Sequence, residues 1–219
     1  GTTGTNNAVE AMRIKLTGEV AEKYDLVVVS DEIYTAYSFQ NPLIPFRSIP
    51  GMAERTLTIN SFSKNFVMTG WRIGCIIAPQ HFINVIQQIN ENLVFTAPSI
   101  SQRAAIYALR YRKQVQPALV ETFRERMYYA AERINKIPNM HVLYPPKGSF
   151  YLFVNIKDTG LTSAQAAEAL LREAHVLMIP GNGFGRCGEG YLRIACTVGV
   201  NQLKEAFDRI EKMEIFSEA

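Results

Sequence analysis

The chain has 219 residues, of which 47% are hydrophobic and 20% are charged, a composition typical of a globular protein with a buried core rather than a disordered chain. Its formal net charge of +3 is small, and lysine and arginine are spread along the chain without a basic block. These features argue against a nucleic-acid partner and against binding to an anionic membrane surface.

Three cysteines, Cys75, Cys187 and Cys196, show no spacing typical of a zinc site. They predict reduced thiols in a cytoplasmic protein. No stretch approaches the about 18 consecutive apolar residues that span a bilayer. The first residues do not show the pattern of a signal peptide, and we therefore expect none. Because the chain opens without a methionine, we expect it to be part of a longer protein.

The first third of the chain has the pattern of an α/β unit. A helix ending near Tyr24 leads into the apolar run 25–30, which is typical of a strand buried on both faces. Residues 56–60 and 72–78 predict further strands. The prolines and the glycine of residues 38–55 predict a loop between the first two strands.

A long amphipathic stretch, about 98–137, follows and predicts one or two helices with a kink or break near Pro117. Thr162 and Gln165 predict the start of a later helix, because a hydroxyl can cap free amide groups. The remaining elements are expected as strands near 140–144, 149–155, 176–179 and 191–196, and as helices near 163–173 and 200–212. This order predicts a three-layer α/β segment, a helical connection and a small α+β domain.

One segment concentrates residues suited to binding a cofactor. Residues 61–74 lie between two predicted strands, so Lys64 falls in a turn at a strand end, where open α/β sheets bind ligands. A lone lysine there is ordinarily a solvated surface charge. The hydroxyls of Ser61 and Ser63 and the guanidinium of Arg72, however, add several donors for a phosphate to the amine of the lysine.

The same segment resembles the cofactor-lysine motif of class I and II aminotransferases, which are fold-type I enzymes dependent on pyridoxal 5'-phosphate (PLP). That motif reads S-x-S-K-x-x-x-x-x-G-x-R-x-G, and the chain meets every fixed position. The resemblance implies that Lys64 carries PLP as a Schiff base and that Ser61, Ser63 and Arg72 hold the cofactor phosphate.

A second match, Asp31-Glu-Ile-Tyr34, directly follows the first predicted strand. Taken alone, Asp31 is better explained as a turn or cap residue and Tyr34 as a boundary aromatic. The run resembles the family's D-E-x-Y, which implies that Asp31 keeps the pyridine nitrogen of PLP protonated and the ring a better electron sink. Tyr34 would hydrogen-bond the phenolic oxygen of the ring.

Arg193 interrupts the apolar run 191–195 of a predicted strand. An arginine there is costly to bury without an anionic partner, so it is an edge residue, a structural salt bridge or a ligand clamp. The run resembles the family's R-[IL]-x pattern, which implies that Arg193 binds the substrate α-carboxylate through two parallel hydrogen bonds. Residues 180–185 and 147–151 resemble the family's PG-x-x-F-G loop and G-x-F-Y strand, which are walls of its active site.

The resemblance covers only about the C-terminal half of a family member. It implies the C-terminal part of a PLP-binding large domain with three α/β/α layers over residues 1–115, and a small α+β domain over residues 116–219. Thr3-Gly4 fits the end of the family's N-P-x-G, whereas Gly1 and Thr2 stand where Asn and Pro are expected. The family's glycine-containing phosphate loop and the aromatic ring that stacks on the pyridine would lie upstream.

The resemblance implies transfer of an amino group between an L-amino acid and a 2-oxo acid in a homodimer, with aspartate-like and aromatic substrates both open. The motifs do not dictate which bond breaks, so a C–S β-lyase is an alternative. Another is the non-catalytic PLP- or amino-acid-sensing domain of a transcription regulator, which an upstream helix-turn-helix would favour.

Overall fold

The computed structural model describes the backbone of residues 7–216 and the side chains of residues 14–216. Thr3-Gly4, with its similarity to N-P-x-G, lies outside the described residues. These residues fall into two compact units, 7–120 and 121–216. Whether the units correspond to the domains expected at 1–115 and 116–219 stays a prediction. Among the described residues, no helix is long and apolar enough to cross a bilayer.

The first unit combines helices with a small mixed sheet. Its elements are α1 (Asn7–Lys23), β1 (Val28–Asp31), β2 (Thr56–Ser61), α2 (Phe62–Asn65), β3 (Gly74–Ile77), α3 (Gln80–Leu93), α4 (Ser99–Arg110) and the start of α5 (Arg112–Ile134). The three strands lie where the apolar runs predict them. The loop between β1 and β2 contains a turn at residues 33–36, an isolated bridge residue at Ser38 and two short 3-10 helices.

Strand β2 is central in this sheet. It runs parallel to β1, with Asp31 opposite Ile59, and antiparallel to β3, with Ser61 opposite Gly74. The last residues of β1 and β2 and the first residue of β3 therefore lie together, at what we call the carboxyl end of the sheet. Gly74 permits this close approach, because a Cβ there would lie 2.8 Å from the carbonyl oxygen of Asn60.

Apolar side chains of the outer strands are exposed. Val29 on β1 is 63% exposed and Ile77 on β3 is 44% exposed. The expectation of a first strand buried on both faces is therefore wrong within the described residues. Three strands with α1 to α4 do not supply a cover for both faces of β1.

The second unit contains the end of α5 and an antiparallel sheet. Its further elements are β4 (Tyr151–Asn155), α6 (Ser163–Ala169), β5 (Ile179–Pro180), β6 (Tyr191–Ala195) and α7 (Val200–Ile210). Strand β6 is central, in the order β4-β6-β5. The predicted start of α6 is confirmed as a capping box, in which Thr162 Oγ1 accepts from Gln165 N at 3.3 Å and Gln165 Oε1 accepts from Thr162 N at 3.0 Å.

The interior of the second unit comes from α5, β4, β6 and α7. Its fully buried apolar side chains include Met127, Ala130, Ile134, Val154, Leu192, Phe207 and Ile210. Arg133 on α5 adds ion pairs to Asp208 and Glu211, with nitrogen–oxygen distances of 2.9 and 2.7 Å. Helix α7 is thereby fixed to α5 by both apolar and ionic contacts.

The helical region breaks at Tyr111 rather than near Pro117, and the alternative expectation of a kink near Pro117 stays a prediction. Helix α4 ends at Arg110 and α5 begins at Arg112. Pro117 lies inside α5, which continues through it although proline lacks the N–H that would bond the carbonyl of Lys113.

Two expected strands are shorter in the structure. Residues 140–144 form only an isolated bridge between His141 and Asn155, because the next N–H, of Val142, donates to Asn135 Oδ1 at 2.7 Å. Residues 176–179 enter a strand only at Ile179, since the N–H of Val176 donates to the carbonyl of Leu170 at 3.1 Å.

Candidate active site

The first sheet brings the candidate residues of the first unit to its carboxyl end. Asp31 is the last residue of β1, and Ser61 is the last residue of β2. Ser63 and Lys64 follow Ser61 in α2, and Arg72 lies two residues before β3. Open α/β sheets bind ligands at this end of their strands.

Helix α2 holds Lys64 in a short, well-anchored turn. Ser61 Oγ caps the helix by accepting the N–H of Ser63 at 3.1 Å. Phe62 is buried and stacks on Phe66, with ring centroids 5.4 Å apart. The Lys64 side chain is half-buried, and its amine makes no hydrogen bond or ion pair with another described residue. The backbone of this turn is therefore fixed, while the Lys64 amine remains available to a ligand.

The two acidic residues after β1 differ in their contacts. The Glu32 carboxylate is hydrogen-bonded within the loop, since its Oε1 accepts from Ser30 Oγ and from Phe46 N, both at 3.0 Å. Asp31 is exposed and accepts only the N–H of Ile33, at 3.2 Å through Oδ1. This bond is the turn contact expected of an aspartate, and it leaves Oδ2 without a hydrogen bond among the described residues.

Tyr34 lies half-buried in the turn that follows β1, and its carbonyl accepts the N–H of Tyr37 at 3.0 Å. Tyr37 is only 2% exposed and donates its hydroxyl to the Lys64 carbonyl at 2.9 Å. Burial raises the pKa of Tyr37 to about 12, so the hydroxyl remains a donor at neutral pH. The turn of Tyr34 and the turn of Lys64 are therefore joined.

Arg72 has a strained backbone, with φ 49° and ψ 52° in the left-handed region. That conformation is uncommon outside glycine and persists where the surroundings impose it, often at functional sites. Its Nη1 donates to the carbonyl of Thr69 at 2.7 Å, and Arg72 pairs with no carboxylate of the described residues. The exposed guanidinium keeps further donors for an anion.

These groups together offer defined chemistry at the carboxyl end of the sheet. The Lys64 amine is a nucleophile or base when unprotonated, the Ser61 and Ser63 hydroxyls and Arg72 can bind a phosphate, and Asp31 can hold a protonated nitrogen.

Arg193 lies in the second unit, on the central strand β6, so it is not an edge residue. Its guanidinium carbon lies 4.7 Å from the ring centre of Tyr151 and 4.6 Å from that of Phe184. Its Nε is buried without a hydrogen bond. Arg47, Arg55 and Arg209 share that feature, and of these Arg55 and Arg209 each bind a carboxylate through Nη1. Arg193 makes no such pair with any described residue.

The chain as a whole is similar to proteins of known family. Residues 10–210 match the family "Aminotransferase class I and II". The chain belongs to this family. Its fold class, predicted as the α/β type of these enzymes, is confirmed by solved structures of aminotransferases.

The similarity extends to individual aminotransferases. The chain is 36% identical to the aspartate aminotransferase of Pyrococcus abyssi over 95% of its own length and 54% of that protein. It is 38% identical to aromatic-amino-acid aminotransferase 2 of Thermococcus litoralis over 89% of its length and 50% of that protein.

A crystal structure of an aromatic aminotransferase from Pyrococcus horikoshii superposes with a TM-score of 0.85 at 35% identity, covering 91% of this chain and 54% of the other. The chain thus spans about half the length of the relatives that it matches. Class I and II aminotransferases are PLP enzymes.

In the loop of residues 180–185, which resembles the family's PG-x-x-F-G, the backbone at Gly181 packs directly against the backbone at Gly188. A Cβ on Gly181 would lie 2.2 Å from the Gly188 carbonyl oxygen, and one on Gly188 would lie 2.0 Å from the Gly181 carbonyl oxygen. Glu189 then accepts the N–H of Ser163 at 2.7 Å, which lowers the pKa of its carboxyl group. These contacts fix the loop that presents Phe184 to Arg193.

Sequence reasoning missed Tyr37 and Asn65, which both contact the Lys64 turn. Tyr37 lies three residues beyond the D-E-x-Y run, and Asn65 occupies a variable position of the lysine motif. One signal was available, because a tyrosine in an apolar setting needs a partner for its hydroxyl. The identity of that partner follows only from the pairing of β1 with β2.

Proposed function

We propose that the protein containing this chain is a PLP-dependent aminotransferase, which moves an amino group between an L-amino acid and a 2-oxo acid. The supporting observation is the half-buried residue Lys64, whose amine has no partner among the described residues. It follows β2 at the carboxyl end of the sheet, on the same segment as the Ser61 and Ser63 hydroxyls and the Arg72 guanidinium. Membership of the aminotransferase family supports the same function.

The residues at this end of the sheet suit PLP in their chemistry. Ser61 Oγ accepts the N–H of Ser63, and so its own proton can be donated to a phosphate oxygen. Arg72 uses one N–H within the protein and can offer others to the same phosphate. One carboxylate oxygen of Asp31 has no hydrogen bond among the described residues and would be available to the pyridine nitrogen, and Lys64 would supply the amine that binds the aldehyde.

When bound, PLP accepts the electron pair left on the substrate Cα after a bond to it breaks. In this proposal the Lys64 amine, once displaced by the substrate amine, would take the proton from Cα and deliver it to the C4' carbon of the cofactor. The negative charge of Asp31 keeps the pyridine nitrogen protonated. Tyr34 would donate a hydrogen bond to the phenolic oxygen of the cofactor.

Arg193 is proposed to bind the α-carboxylate of the substrate. Its central position in β6 and the lack of an ion pair among the described residues favour a ligand over a structural salt bridge. The rings of Tyr151 and Phe184 pack on the guanidinium and orient its plane, which suits a paired bond to a carboxylate.

The relatives named above include an aspartate and an aromatic-amino-acid aminotransferase, and we propose a substrate of one of these two types. A homodimer in the cytoplasm also remains our prediction. Light scattering of the full-length protein would test the dimer, and fractionation of its source cells would test the location.

The deciding experiment adds PLP to the full-length protein, records the visible spectrum, and maps the peptide labelled after borohydride reduction. We expect a visible band and a label on Lys64. Lys64→Ala should lose both, whereas Lys136→Ala, which changes a lysine paired with Glu132 at the surface of the second unit, should keep both. A label on another lysine in the unaltered protein would refute the assignment.

Turnover then separates the aminotransferase from its alternatives. Amino acids and 2-oxo acids are offered in pairs, and both products are measured. Transfer of the amino group supports the proposal. Release of a thiol and ammonia from a sulfur-bearing amino acid, without amino transfer, would indicate a β-lyase. Binding of PLP without any turnover would indicate a sensing domain.

A further inference from the structure

Asn65 directly follows Lys64 and is the last residue of α2. Its side chain is buried, with 6% of the residue exposed, and all of its polar ends are bonded. Nδ2 donates to Thr35 Oγ1 at 3.1 Å and to Asn60 Oδ1 at 3.0 Å, and Oδ1 accepts the N–H of Ala36 at 3.1 Å. One side chain thus joins α2 to the end of β2 and to the turn that follows β1.

The main chain at Lys64 is held by further contacts. Its carbonyl accepts the hydroxyl of Tyr37 at 2.9 Å and the N–H of Val67 at 3.2 Å. The carbonyl of Asn65 accepts Gln116 Nε2 at 3.4 Å. None of these bonds uses the Lys64 amine. The structure therefore fixes the main chain of the lysine and leaves its reactive atom without a protein partner among the described residues.

The turn after α2 also needs external support. Val67 has φ 56°, and a β-branched residue in the left-handed region is a genuine outlier. Such a conformation persists only when the surrounding contacts impose it. Asn65 lies two residues before Val67 and supplies three of the bonds that hold this segment against its neighbours.

We propose that Asn65 is a positioning residue, which holds the main chain of Lys64 against the Asp31–Tyr37 segment so that the amine keeps one place relative to Asp31 and Tyr34. This role rests on the proposed function of Lys64. A purely structural Asn65 would contribute to the stability of the unit and leave the chemistry of the amine unchanged.

The test compares Asn65→Ala with Thr56→Val in the full-length protein. Thr56 is also buried in the first unit, and its Oγ1 donates to the Met52 carbonyl at 2.7 Å. Because Thr56 begins β2 and Asn65 follows its other end, the control removes a buried hydrogen bond at a distance from Lys64. Melting temperature, the PLP spectrum across pH, and kcat and KM are measured for both variants.

We expect Asn65→Ala to lower kcat by about 10- to 100-fold with less than about a threefold change in KM, because a small displacement of a reacting group has effects of that size. The pH at which the visible band is half-converted should move by about half a unit or more, since the charges around the linked amine change their distances. Thr56→Val should lower the melting temperature alone.

A second pair of variants covers the case in which Asn65→Ala does not fold. Asn65→Asp keeps the oxygen that accepts from Ala36 and loses the donors, and Tyr37→Phe removes only the hydroxyl bonded to the Lys64 carbonyl. Both should shift the pH response of the band and lower kcat, and Asn65→Asp adds the effect of a new negative charge, which favours the protonated form of the linked amine.

The outcomes distinguish this proposal from the one on which it rests. If the unaltered protein attaches PLP at Lys64 and transfers amino groups, but the Asn65 and Tyr37 variants show only a loss of melting temperature, the positioning role is overturned and the proposed function stands. If the unaltered protein does not attach PLP at Lys64, both proposals fail.

Discussion

Replacing Arg193 with lysine tests whether the second unit takes part in substrate binding. The change keeps a positive charge but removes the planar guanidinium that lies 4.7 Å from the ring centre of Tyr151 and 4.6 Å from that of Phe184. An ammonium is a point charge and cannot make two parallel bonds to one carboxylate. Variants of Arg193 should therefore lose part of the affinity for the α-carboxylate.

The size of the effect follows from the bond that is lost. A hydrogen bond to a charged group contributes roughly 1.5–3 kcal/mol, and each 1.4 kcal/mol corresponds to about a tenfold change. Since Arg193 has no competing carboxylate among the described residues, the whole contribution is available to the substrate. We expect kcat/KM to fall by about 10- to 150-fold, with the PLP spectrum unchanged.

The assay measures kcat/KM and the melting temperature of the full-length Arg193→Lys protein with an amino acid and with its α-carboxamide. The loss should be confined to the amino acid, because the amide presents no carboxylate. Arg172→Lys is the matched control, since Arg172 is exposed and pairs only with Glu168 one helical turn away. A lower melting temperature with unaltered kinetics would show that Arg193 is structural.

Two further predictions concern stability and thiol reactivity. Gly188→Ala should lower the melting temperature by roughly 2–12 °C, because its Cβ would lie 2.0 Å from the Gly181 carbonyl oxygen and overpacking costs about 1–3 kcal/mol. Gly183→Ala is the control, because a Cβ there would meet nothing within 4 Å, and equal melting temperatures of the two variants would contradict the packing argument. Burial raises the pKa of Cys196 to about 12, so iodoacetamide at pH 8 should label the exposed Cys187 and leave Cys196 unmodified in the folded protein. Mass spectrometry of the peptides would identify the labelled cysteine, and prompt labelling of Cys196 would contradict its burial.

The sequence locates the chemistry of the first unit well because the motif is local. Ser61, Lys64 and Arg72 lie on one short segment between two apolar strands, and the strand ends determine where they gather. Gly74 is likewise explained, since it lies against the carbonyl of Asn60. A Cβ on Gly70, in contrast, would meet nothing within 4 Å, and no contact of the described residues explains why a glycine stands there.

Contacts between segments that are distant in sequence cannot be predicted from a local motif. The bond from Asn65 to Thr35 joins residues 30 positions apart, and the residue pattern carries no sign of it. The break at Tyr111 has a similar cause. No glycine or proline stands there, whereas Pro117, the obvious local signal, lies inside α5. The residue type alone indicates which backbone conformations are unfavourable at a position. Packing within the whole unit determines where a helix actually begins and ends.

The apolar composition of β1 predicts that both faces of the strand are covered, but the described residues do not cover them. A strand of that composition is covered by layers on both faces in an α/β fold, yet Val29 is 63% exposed. Large exposed apolar surfaces ordinarily contact other protein. The matched relatives are about twice as long as the part that this chain covers. We therefore expect protein outside the described residues to cover the exposed faces of β1 and so to hold the end of the sheet where Asp31 and Lys64 lie.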